Sequence, residues 1–325
     1  MKKVGFIVLS LALFGVVFLG GAGNAAEQYP VKPINMVIPL EAGSDADIIT
    51  RPLCQKASEY LGKPITITNK PGAASTIGYM EVNRSKPDGY TIGQATAAML
   101  TGKFMGISPL TYKDFTLIGT YYRMPALVFG SMKTKRPFKT IQEVVSYAKA
   151  HPGEVSLSAS AVGQSLWVGA MAFISGTGIE VNVIPQAGGS GFTITQIAGG
   201  HADLAVTHLA AARPQMQAGN IRMLAVLGDE RAQGYETIPT LKEAGYNATW
   251  ESTGFIIGPP GMPKDVSAKL VKAFEMAAND AGYKKFLQER FSPPFYIPPA
   301  QMAEYFDKQS TVVEEIMRKA GVLKK

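Results

Sequence analysis

The chain has 325 residues, of which 46% are hydrophobic, and its formal net charge is +7. The positive charges form no basic cluster interleaved with aromatic residues, which argues against a nucleic-acid-binding surface. The single cysteine, Cys54, cannot form an intrachain disulfide, so a hydrophobic core must hold the fold together, and the length is sufficient for two lobes.

Residues 1–26 have the pattern of a secretory signal peptide. Two lysines follow the first methionine, residues 6–19 are almost wholly apolar, and residues 21–26 are small and polar. The apolar core of about 14 residues is short for a membrane span, which needs roughly 20. We therefore expect cleavage after Ala25 or Ala26 and a soluble, exported mature chain. An uncleaved membrane anchor is the alternative.

Beyond that segment, strand-like and helix-like stretches alternate along the whole chain. Apolar and β-branched stretches predict strands within residues 34–40, 65–68, 87–95, 126–130, 154–160, 180–185, 202–208, 221–227 and 252–263. Helical patterns occur within residues 47–62, 71–85, 140–150, 163–176, 191–200, 210–219, 264–280 and 299–321. This alternation predicts an α/β fold in which mostly parallel sheets are flanked by helices on both faces.

Residues that usually carry catalysis or bind metals are scarce. The histidines are His151, His201 and His208, and the last two bracket a predicted strand, so they lie at its opposite ends and cannot share a metal. No complete nucleophile-elbow, Walker or dinucleotide-binding motif is present. We expect no catalytic site, no metal and no cofactor. A secreted α/β enzyme is an alternative that would need a nucleophile–base pair, which the sequence does not show.

Four turns rich in glycine or serine connect a predicted strand to a predicted helix, at residues 41–47, 69–76, 158–165 and 185–191. Each places backbone N–H groups that lack intrahelical partners at the positive end of a helix. In an open parallel sheet such turns lie at the carboxyl ends of the strands, where ligands bind. Ordinary helix capping uses the same residue types. Four such turns together favour a cleft lined by N–H donors, which suits a carboxylate.

The first of these turns also contains three acidic residues. Asp45 is a plausible N-cap, and Asp47 falls in the first turn of the helix, where the helix dipole stabilises it. Glu41 is harder to explain as a cap. Because carboxylates can also bind ligand hydroxyls or bridging waters, the sequence leaves open whether these residues contact ligand or only cap the helix.

Ordered sequence blocks along nearly all of the mature chain resemble the Bug (TctC-like) family, the periplasmic solute receptors of tripartite tricarboxylate transporters. The blocks are YPVKPINMVIPLEAGSDAD (29–47), ITNKPGAASTIG (67–78), SKPDGYTI (85–92), TIPTLKEAGY (237–246) and GFIIGPPGMPKDVSAKL (254–270). The resemblance implies a type II-like periplasmic binding protein with two lobes joined by two crossovers. Lobe I would comprise residues 27–125 and 251–325, and lobe II residues 126–250.

The same resemblance implies a function without catalysis. A monomeric receptor in the periplasm would close by hinge motion on a small organic acid and deliver it to the membrane permease subunits of the transporter. A sensory module that hands its loaded form to a two-component sensor kinase is the alternative. Family contacts carry over to Gly43 and Asp47 in the first turn, Ala73 and Ala74 in the second, Gly163 and Ser165 in the third, and Gly188 and Gly189 in the fourth.

The sequence departs from the family pattern in ways that bear on the ligand. The departures remove an aromatic residue and a cation from the turns and add an acid, Glu41, which argues against a highly charged tricarboxylate such as citrate. A monocarboxylate, or a hydroxylated or amide-bearing acid, is expected instead. The candidate ligand-binding residues are Ala42, Gly43, Ser44, Asp45, Asp47, Ala73, Ala74, Ser160, Gly163, Gln164, Ser165, Gln186, Gly188, Gly189 and His208.

Overall fold

The computed structural model describes residues 29–96, 99–187 and 189–323. The predicted signal peptide and Gly188 lie outside the described residues. The strands are β1 (Ile34–Ile38), β2 (Ile65–Asn69), β3 (Thr91–Thr96), β4 (Thr116–Pro125), β5 (Leu127–Ser131), β6 (Ser156–Ser160), β7 (Asn182–Gln186), β8 (Leu204–Thr207), β9 (Ile221–Val226) and β10 (Glu251–Gly258). The α-helices are α1 (Asp45–Leu61), α2 (Thr76–Arg84), α3 (Met99–Phe104), α4 (Ile141–Ala150), α5 (Ser165–Thr177), α6 (Gly189–Ala198), α7 (Leu209–Gln217), α8 (Lys264–Asn279), α9 (Ala281–Gln288) and α10 (Pro299–Lys319).

The strands form two five-stranded sheets with the same topology. Their orders are β2-β1-β3-β10-β4 and β7-β6-β8-β5-β9. In the first sheet β10 is antiparallel to both neighbours, and in the second sheet β5 is antiparallel to both neighbours. The remaining pairs are parallel. The prediction of an α/β fold with two lobes and mostly parallel sheets is confirmed, with one reversed strand in each sheet.

The chain crosses between the sheets at Ala126, which separates β4 from β5, and again in the segment between β9 and β10. Three backbone hydrogen bonds tie these crossings together in a ring. The N–H of Leu227 donates to the Ala126 carbonyl at 2.8 Å, Ala126 donates to Trp250 at 3.1 Å, and Trp250 donates to Leu227 at 2.7 Å. A ring of this kind holds the two crossings side by side.

The C-terminal helix α10 contacts both lobes. It packs on α3 and β4 of the first lobe and on α5 of the second. Its buried residues Met302, Phe306 and Met317 belong to a hydrophobic cluster that also contains Val168 and Phe173 of α5. The prediction placed this helix wholly in lobe I. The exact lobe boundaries stay a prediction.

Helix α1 illustrates how local sequence positions the cleft residues. Its N-cap is Ser44, which has extended backbone angles and whose Oγ accepts a hydrogen bond from the N–H of Asp47 at 3.3 Å. The helix ends at Gly62 in the left-handed conformation that glycine adopts without strain. The expectation that Asp45 is the N-cap is therefore wrong. Asp45 is the first helical residue, so its side chain is not needed for capping.

The sequence prediction missed β4, the short helices α3 and α9, and a 3₁₀ turn at Tyr112–Asp114. Strand β4 pairs along its length with β10. Its consecutive residues Tyr121 and Tyr122 are both buried. Because successive residues point to opposite faces of a sheet, a strand buried on both faces lacks the polar–apolar alternation that identifies a half-exposed strand.

Candidate functional site

The strand order brings the predicted turns to one edge of each sheet. In the first sheet β1 and β2 are adjacent and parallel, so the turns leading to α1 and α2 leave from the same edge. In the second sheet β6 lies between β7 and β8, so the turns leading to α5, α6 and α7 also share an edge. These edges are the positions at which open α/β sheets bind ligands.

Side-chain hydrogen bonds connect the two edges directly. Ser190, in the first turn of α6, donates its hydroxyl to Asp45 Oδ2 at 2.5 Å, and His208 Nδ1 lies 2.8 Å from the same oxygen. Thr101 of α3 donates its hydroxyl to the Gly163 carbonyl at 2.5 Å. The cleft between the sheets is therefore closed, and Asp45 of the first lobe takes part in two of these three bonds.

Gly163 of the third turn lies against the second turn of the opposite lobe. Its φ is +84°, and a Cβ placed there would lie 3.3 Å from Met105 Sδ, 3.5 Å from Ala74 Cβ and 3.6 Å from Ile107 Cδ1. Glycine adopts this backbone conformation without strain, and a Cβ here would press on Met105 Sδ. Ala74 and its neighbour Ala73 also have positive φ, of 49° and 46°, and the Ala74 methyl group faces Gly163 across the cleft.

The carboxylate of Asp47 holds the first turn in place through hydrogen bonds. Both oxygens accept hydrogen bonds: from the N–H of Gly43 at 2.9 Å, from Arg51 at 2.9 and 2.8 Å, and from Asn69 at 3.0 Å. Burial acts to raise the pKa of Asp47, but the hydrogen bonds from Arg51, Gly43 and Asn69 outweigh it, so the pKa is lowered. Asp47 is thus engaged with protein donors on both oxygens, and it fixes the position of Gly43.

Asp45 lies at the end of a chain of side-chain hydrogen bonds that runs through the floor of the cleft. Trp250 Nε1 donates to Ser165 Oγ at 3.1 Å, Ser165 Oγ lies 2.7 Å from Ser252 Oγ, and Ser252 Oγ lies 3.1 Å from His208 Nε2. An indole N–H can only donate, and a carboxylate can only accept. These two rules fix the two ends of the chain: Trp250 donates to Ser165, and Asp45 accepts from His208.

His208 therefore carries a hydrogen on Nδ1, which it donates to Asp45, and its Nε2 bonds to Ser252. Burial acts to raise the pKa of Asp45, but the hydrogen bond from His208, the electrostatic attraction of His208 and the hydrogen bond from Ser190 outweigh it, so the pKa is lowered. Asp45 is consequently a buried, ionised carboxylate that pairs with His208 of the opposite lobe.

Asp45, His208 and Ser252 share the connectivity of a catalytic triad, which the sequence alone does not reveal. The serine, however, is only 2% exposed. Its oxygen is also held by Ser165 at 2.7 Å. A nucleophile needs open approach to a substrate carbonyl, and this serine lacks it. The arrangement fixes the orientation of His208 and holds the lobes together.

Three helices at the cleft begin without a side-chain cap. Helices α2, α5 and α7 follow Ser75, Gln164 and His208, and none of these side chains accepts a hydrogen bond from the helix backbone. The first-turn N–H groups of these helices are therefore available to an anion at the positive helix end. Helix α1 differs, because Ser44 caps it and Asp47 takes the N–H of Gly43.

Two buried hydroxyl groups lie at the ends of the neighbouring strands β6 and β8. Ser160 is 3% exposed and Thr207 is fully buried, and neither hydroxyl has a hydrogen-bond partner among the described residues. The strands are parallel with Ser158 opposite Ala205, and the same register sets Ser160 beside Thr207. Buried hydroxyls are ordinarily paired, so two adjacent unpaired ones are suited to contact a ligand.

The other predicted residues have fewer contacts. Gln164 and Gln186 are half-buried and have no side-chain partner within the described part of the chain, and Ala42 is exposed. Gly189 is the first residue of α6, with φ +69°. Glu41 is exposed, and its carbonyl accepts from the N–H of Ser44.

Among the residues that the fold adds to the cleft and that sequence reasoning missed are Ser190, Thr207, Trp250 and Ser252. Ser190 stands within the predicted fourth turn, so its position was available from the pattern. Thr207 precedes His208 at a strand end and looks like any other strand residue. Trp250 and Ser252 lie at the second crossover, far in sequence from every predicted turn, and no local pattern identifies them.

The described residues contain no group of three or more His, Cys, Asp or Glu side chains placed to hold a metal ion. Within residues 29–323, excepting the undescribed positions, no helix combines the length and apolar character needed to cross a membrane.

Comparisons with known proteins give one consistent family. Residues 49–322 match the family described as "Tripartite tricarboxylate transporter family receptor". A curated relative, Protein BugT of Bordetella pertussis, is 27% identical over 322 residues, which cover 97% of this chain and 96% of that protein.

Solved structures agree with that match. Periplasmic binding protein BugD superposes with a TM-score of 0.82 at 26% identity, over 91% of this chain and 100% of that one. An R. palustris protein solved with adipate has the same TM-score and identity, over 91% of this chain and 99% of that one.

Proposed function

The chain belongs to the tripartite tricarboxylate transporter receptor family, and from that premise we propose that it is an exported receptor for a small organic carboxylate. Proteins of this family are substrate-binding receptors and not enzymes, and they work with tripartite transporters. The receptor binds its ligand in the periplasm, in the cleft between the two lobes, and delivers it to the permease subunits. The predicted signal peptide supports the export step.

One observation carries the proposal. The uncapped starts of α5 and α7 converge on the strand ends that hold the unpaired hydroxyls of Ser160 and Thr207. Backbone N–H groups and hydroxyls stabilise an anion without a charged side chain, and burial strengthens each such bond. The R. palustris relative solved with adipate is consistent with carboxylate as the recognised group.

The charges of the candidate site favour a ligand with a single carboxylate. None of the fifteen candidate residues is Lys or Arg, Arg51 is paired with Asp47, and Lys70 of the second turn is paired with Glu81. Asp45 adds a negative charge. A dianion or trianion would therefore lose its hydration without gaining a compensating cation. We infer that the ligand is a monocarboxylate or a hydroxylated or amide-bearing acid, with Gln164, Gln186 and His208 as further polar contacts.

A thermal-shift screen of organic acids at neutral pH tests the ligand class. At a concentration of about 100 times Kd, a bound ligand stabilises the folded state by about 2.7 kcal/mol. That shifts the melting midpoint by several degrees in a protein of this size. Strong stabilisation by citrate and by no monocarboxylate would overturn the ligand class. If no organic acid shifts the midpoint, and protein purified from its own host carries none by native mass spectrometry, the receptor function itself fails.

Delivery to a permease needs a separate test in the host. Deletion of the gene should abolish uptake of the acid identified by the screen, and the wild-type gene should restore it. A variant without residues 1–26 should stay inside the cell and restore nothing. Unchanged uptake in the deletion strain would contradict delivery while leaving ligand binding intact.

A further inference from the structure

His208 is bonded by the opposite lobe on both of its ring nitrogens. Nδ1 lies 2.8 Å from Asp45 Oδ2 of α1, and Nε2 lies 3.1 Å from Ser252 Oγ of β10. Helix α1 and strand β10 belong to lobe I, whereas His208 follows β8 of the second sheet and precedes α7. Opening the cleft therefore breaks both bonds together, and closing it forms them again.

The pair of Asp45 and His208 is largely shielded from water. His208 is 6% exposed and the Asp45 side chain is 16% exposed. Because the pKa of Asp45 is lowered, its carboxylate is ionised at neutral pH. With a neutral imidazole the closed pair carries one negative charge, and with an imidazolium it carries none. Closure therefore costs less when the ring is protonated, since a net charge is expensive to remove from water and a charge-assisted hydrogen bond is the stronger one.

The elements that pack around His208 in its own lobe bring few ionisable groups. Helices α5 and α6 and strand β8 contain none. Arg213 of α7 and Arg222 of β9 are both exposed, and they keep their charge at every relevant pH. From β4 of the opposite lobe, Tyr122 lies near Asp45, and burial raises the pKa of its hydroxyl, so it stays neutral.

The other acids beside the ring partners are paired within structure that opening leaves intact. Asp47 of α1 pairs with Arg51 at 2.8 Å in the same helix. Glu251, which precedes the serine partner in β10, pairs with Arg123 of β4 at 3.1 Å. Burial raises the pKa of Glu251, but β10 and β4 are neighbours in one sheet. Movement of the lobes therefore does not separate either pair, unlike the pair at His208.

Two serines let the network accept either state of the ring. A hydroxyl can donate or accept, so Ser252 can donate to a neutral Nε2 or accept from a protonated one. Ser165, which lies 2.7 Å from Ser252, can turn its hydrogen in the same way while it accepts from Trp250. Protonation of His208 thus changes the charge of the closed cleft without moving a heavy atom.

We propose that Asp45 and His208 form a pH-dependent latch, which holds the two lobes closed more firmly when His208 is protonated. The inference rests on the proposed function, because closure is what retains the organic acid. The latch weakens as the pH rises past about 6.5, where a solvated imidazole loses its proton. It is also lost as the pH falls through the lowered pKa of Asp45. Closure, and with it the affinity for the acid, is therefore greatest in mildly acidic surroundings.

Calorimetry at about pH 6 and about pH 8.5, on either side of the imidazole range, tests the latch. The probe is the organic acid that gives the largest melting shift in the screen, provided that it is fully ionised at both values. Buffers of different ionisation enthalpy report the protons taken up on binding. The proteins are the wild type, Asp45→Asn, His208→Asn and the control His201→Asn. His201 stands at the other end of β8 and is exposed.

The wild type should bind the acid about fivefold to tenfold more tightly at the lower pH, which is the effect of replacing a neutral hydrogen bond with a charged one. It should also take up protons on binding near neutral pH. Asp45→Asn and His208→Asn should bind more weakly, with a pH effect below about twofold and no proton uptake. His201→Asn should behave as the wild type does. Circular dichroism and melting of the free proteins establish that each variant folds.

Wild-type binding that is independent of pH and takes up no proton would overturn the latch. So would proton uptake that survives in Asp45→Asn, because the ring would then titrate against the bound acid rather than against Asp45. The ring resonances of His208 in the acid-bound wild type give a result that needs no variant. A neutral ring at about pH 6 would also overturn the latch.

Failure of every acid to bind would reject the proposed function and leave the latch to be judged on the free protein. Small-angle X-ray scattering then compares the radius of gyration at the two pH values. A smaller radius at the lower pH in the wild type, absent in Asp45→Asn, supports the latch. Equal radii in the wild type overturn it.

Discussion

Replacing Asp47 with asparagine tests whether this carboxylate acts by organising the first turn. The carboxylate accepts four hydrogen bonds, from Gly43, Asn69 and two nitrogens of Arg51, at distances of 2.8 to 3.0 Å. Asparagine retains one acceptor oxygen and turns its NH₂ towards donors, so about half of these bonds are lost. Each bond to a charged group contributes roughly 1.5–3 kcal/mol.

The Arg51 side chain is 49% exposed, so its share of the stabilisation is reduced by solvent. We therefore expect Asp47→Asn to lower the free energy of unfolding by about 3 kcal/mol, or the melting midpoint by roughly 6 °C in a chain of this size. Urea and thermal unfolding followed by circular dichroism measure the change. The free protein is used, so ligand stabilisation does not enter.

Asp265→Asn provides the matched control. Asp265 also stands in the first turn of a helix, α8, but it is exposed and accepts no hydrogen bond from another described side chain. Its loss should cost at most about 0.5 kcal/mol through the helix dipole. If Asp47→Asn is no more destabilising than Asp265→Asn, the turn does not depend on the carboxylate and the reasoning is refuted.

Gly163→Ala should weaken ligand binding several-fold in calorimetry, because its Cβ, 3.3 Å from Met105 Sδ of the opposite lobe, opposes closure of the cleft. Gly254→Ala should lower the free energy of unfolding by more than about 3 kcal/mol in urea, since its Cβ would fall within the buried ring of Tyr122. The melting midpoint should fall as the pH is lowered below about 4, and less so in Asp47→Asn. Because the folded-state pKa of Asp47 is lowered, its stabilisation is present above the unfolded pKa and lost as the pH falls through the folded one.

Each of these outcomes has a control. Gly261→Ala has the same positive φ as Gly163→Ala with nothing within 4 Å of its Cβ, so it should leave ligand binding unchanged. A ligand affinity for Gly163→Ala equal to that of Gly261→Ala would contradict the contact between the lobes. A Gly254→Ala protein as stable as the wild type would mean that Tyr122 is not held against β10. Parallel acid melting curves of wild type and Asp47→Asn would exclude this residue as a source of the pH dependence.

Much of the fold could be predicted from local pattern. Strand and helix positions, the glycine that ends α1 and the turns before the helices depend on residues close together in sequence. The sequence blocks from residue 29 to residue 270 were sufficient to indicate the family. The prediction failed where local pattern is weak: at β4, which is buried on both faces, and at the N-cap of α1, where Ser44 and Asp45 are both good capping residues.

The candidate site divides in the same way. The sequence by itself determined which turns could offer backbone donors, and that only the second of them, at Lys70, would carry a cation. Only the tertiary structure decided which polar side chains meet. Asp45 and Ser190 are 145 positions apart, and Asp45 and His208 are 163 apart. The reason is physical: turn chemistry is set by a few neighbouring φ and ψ angles, whereas a buried carboxylate acquires its partners only when the two lobes close around it.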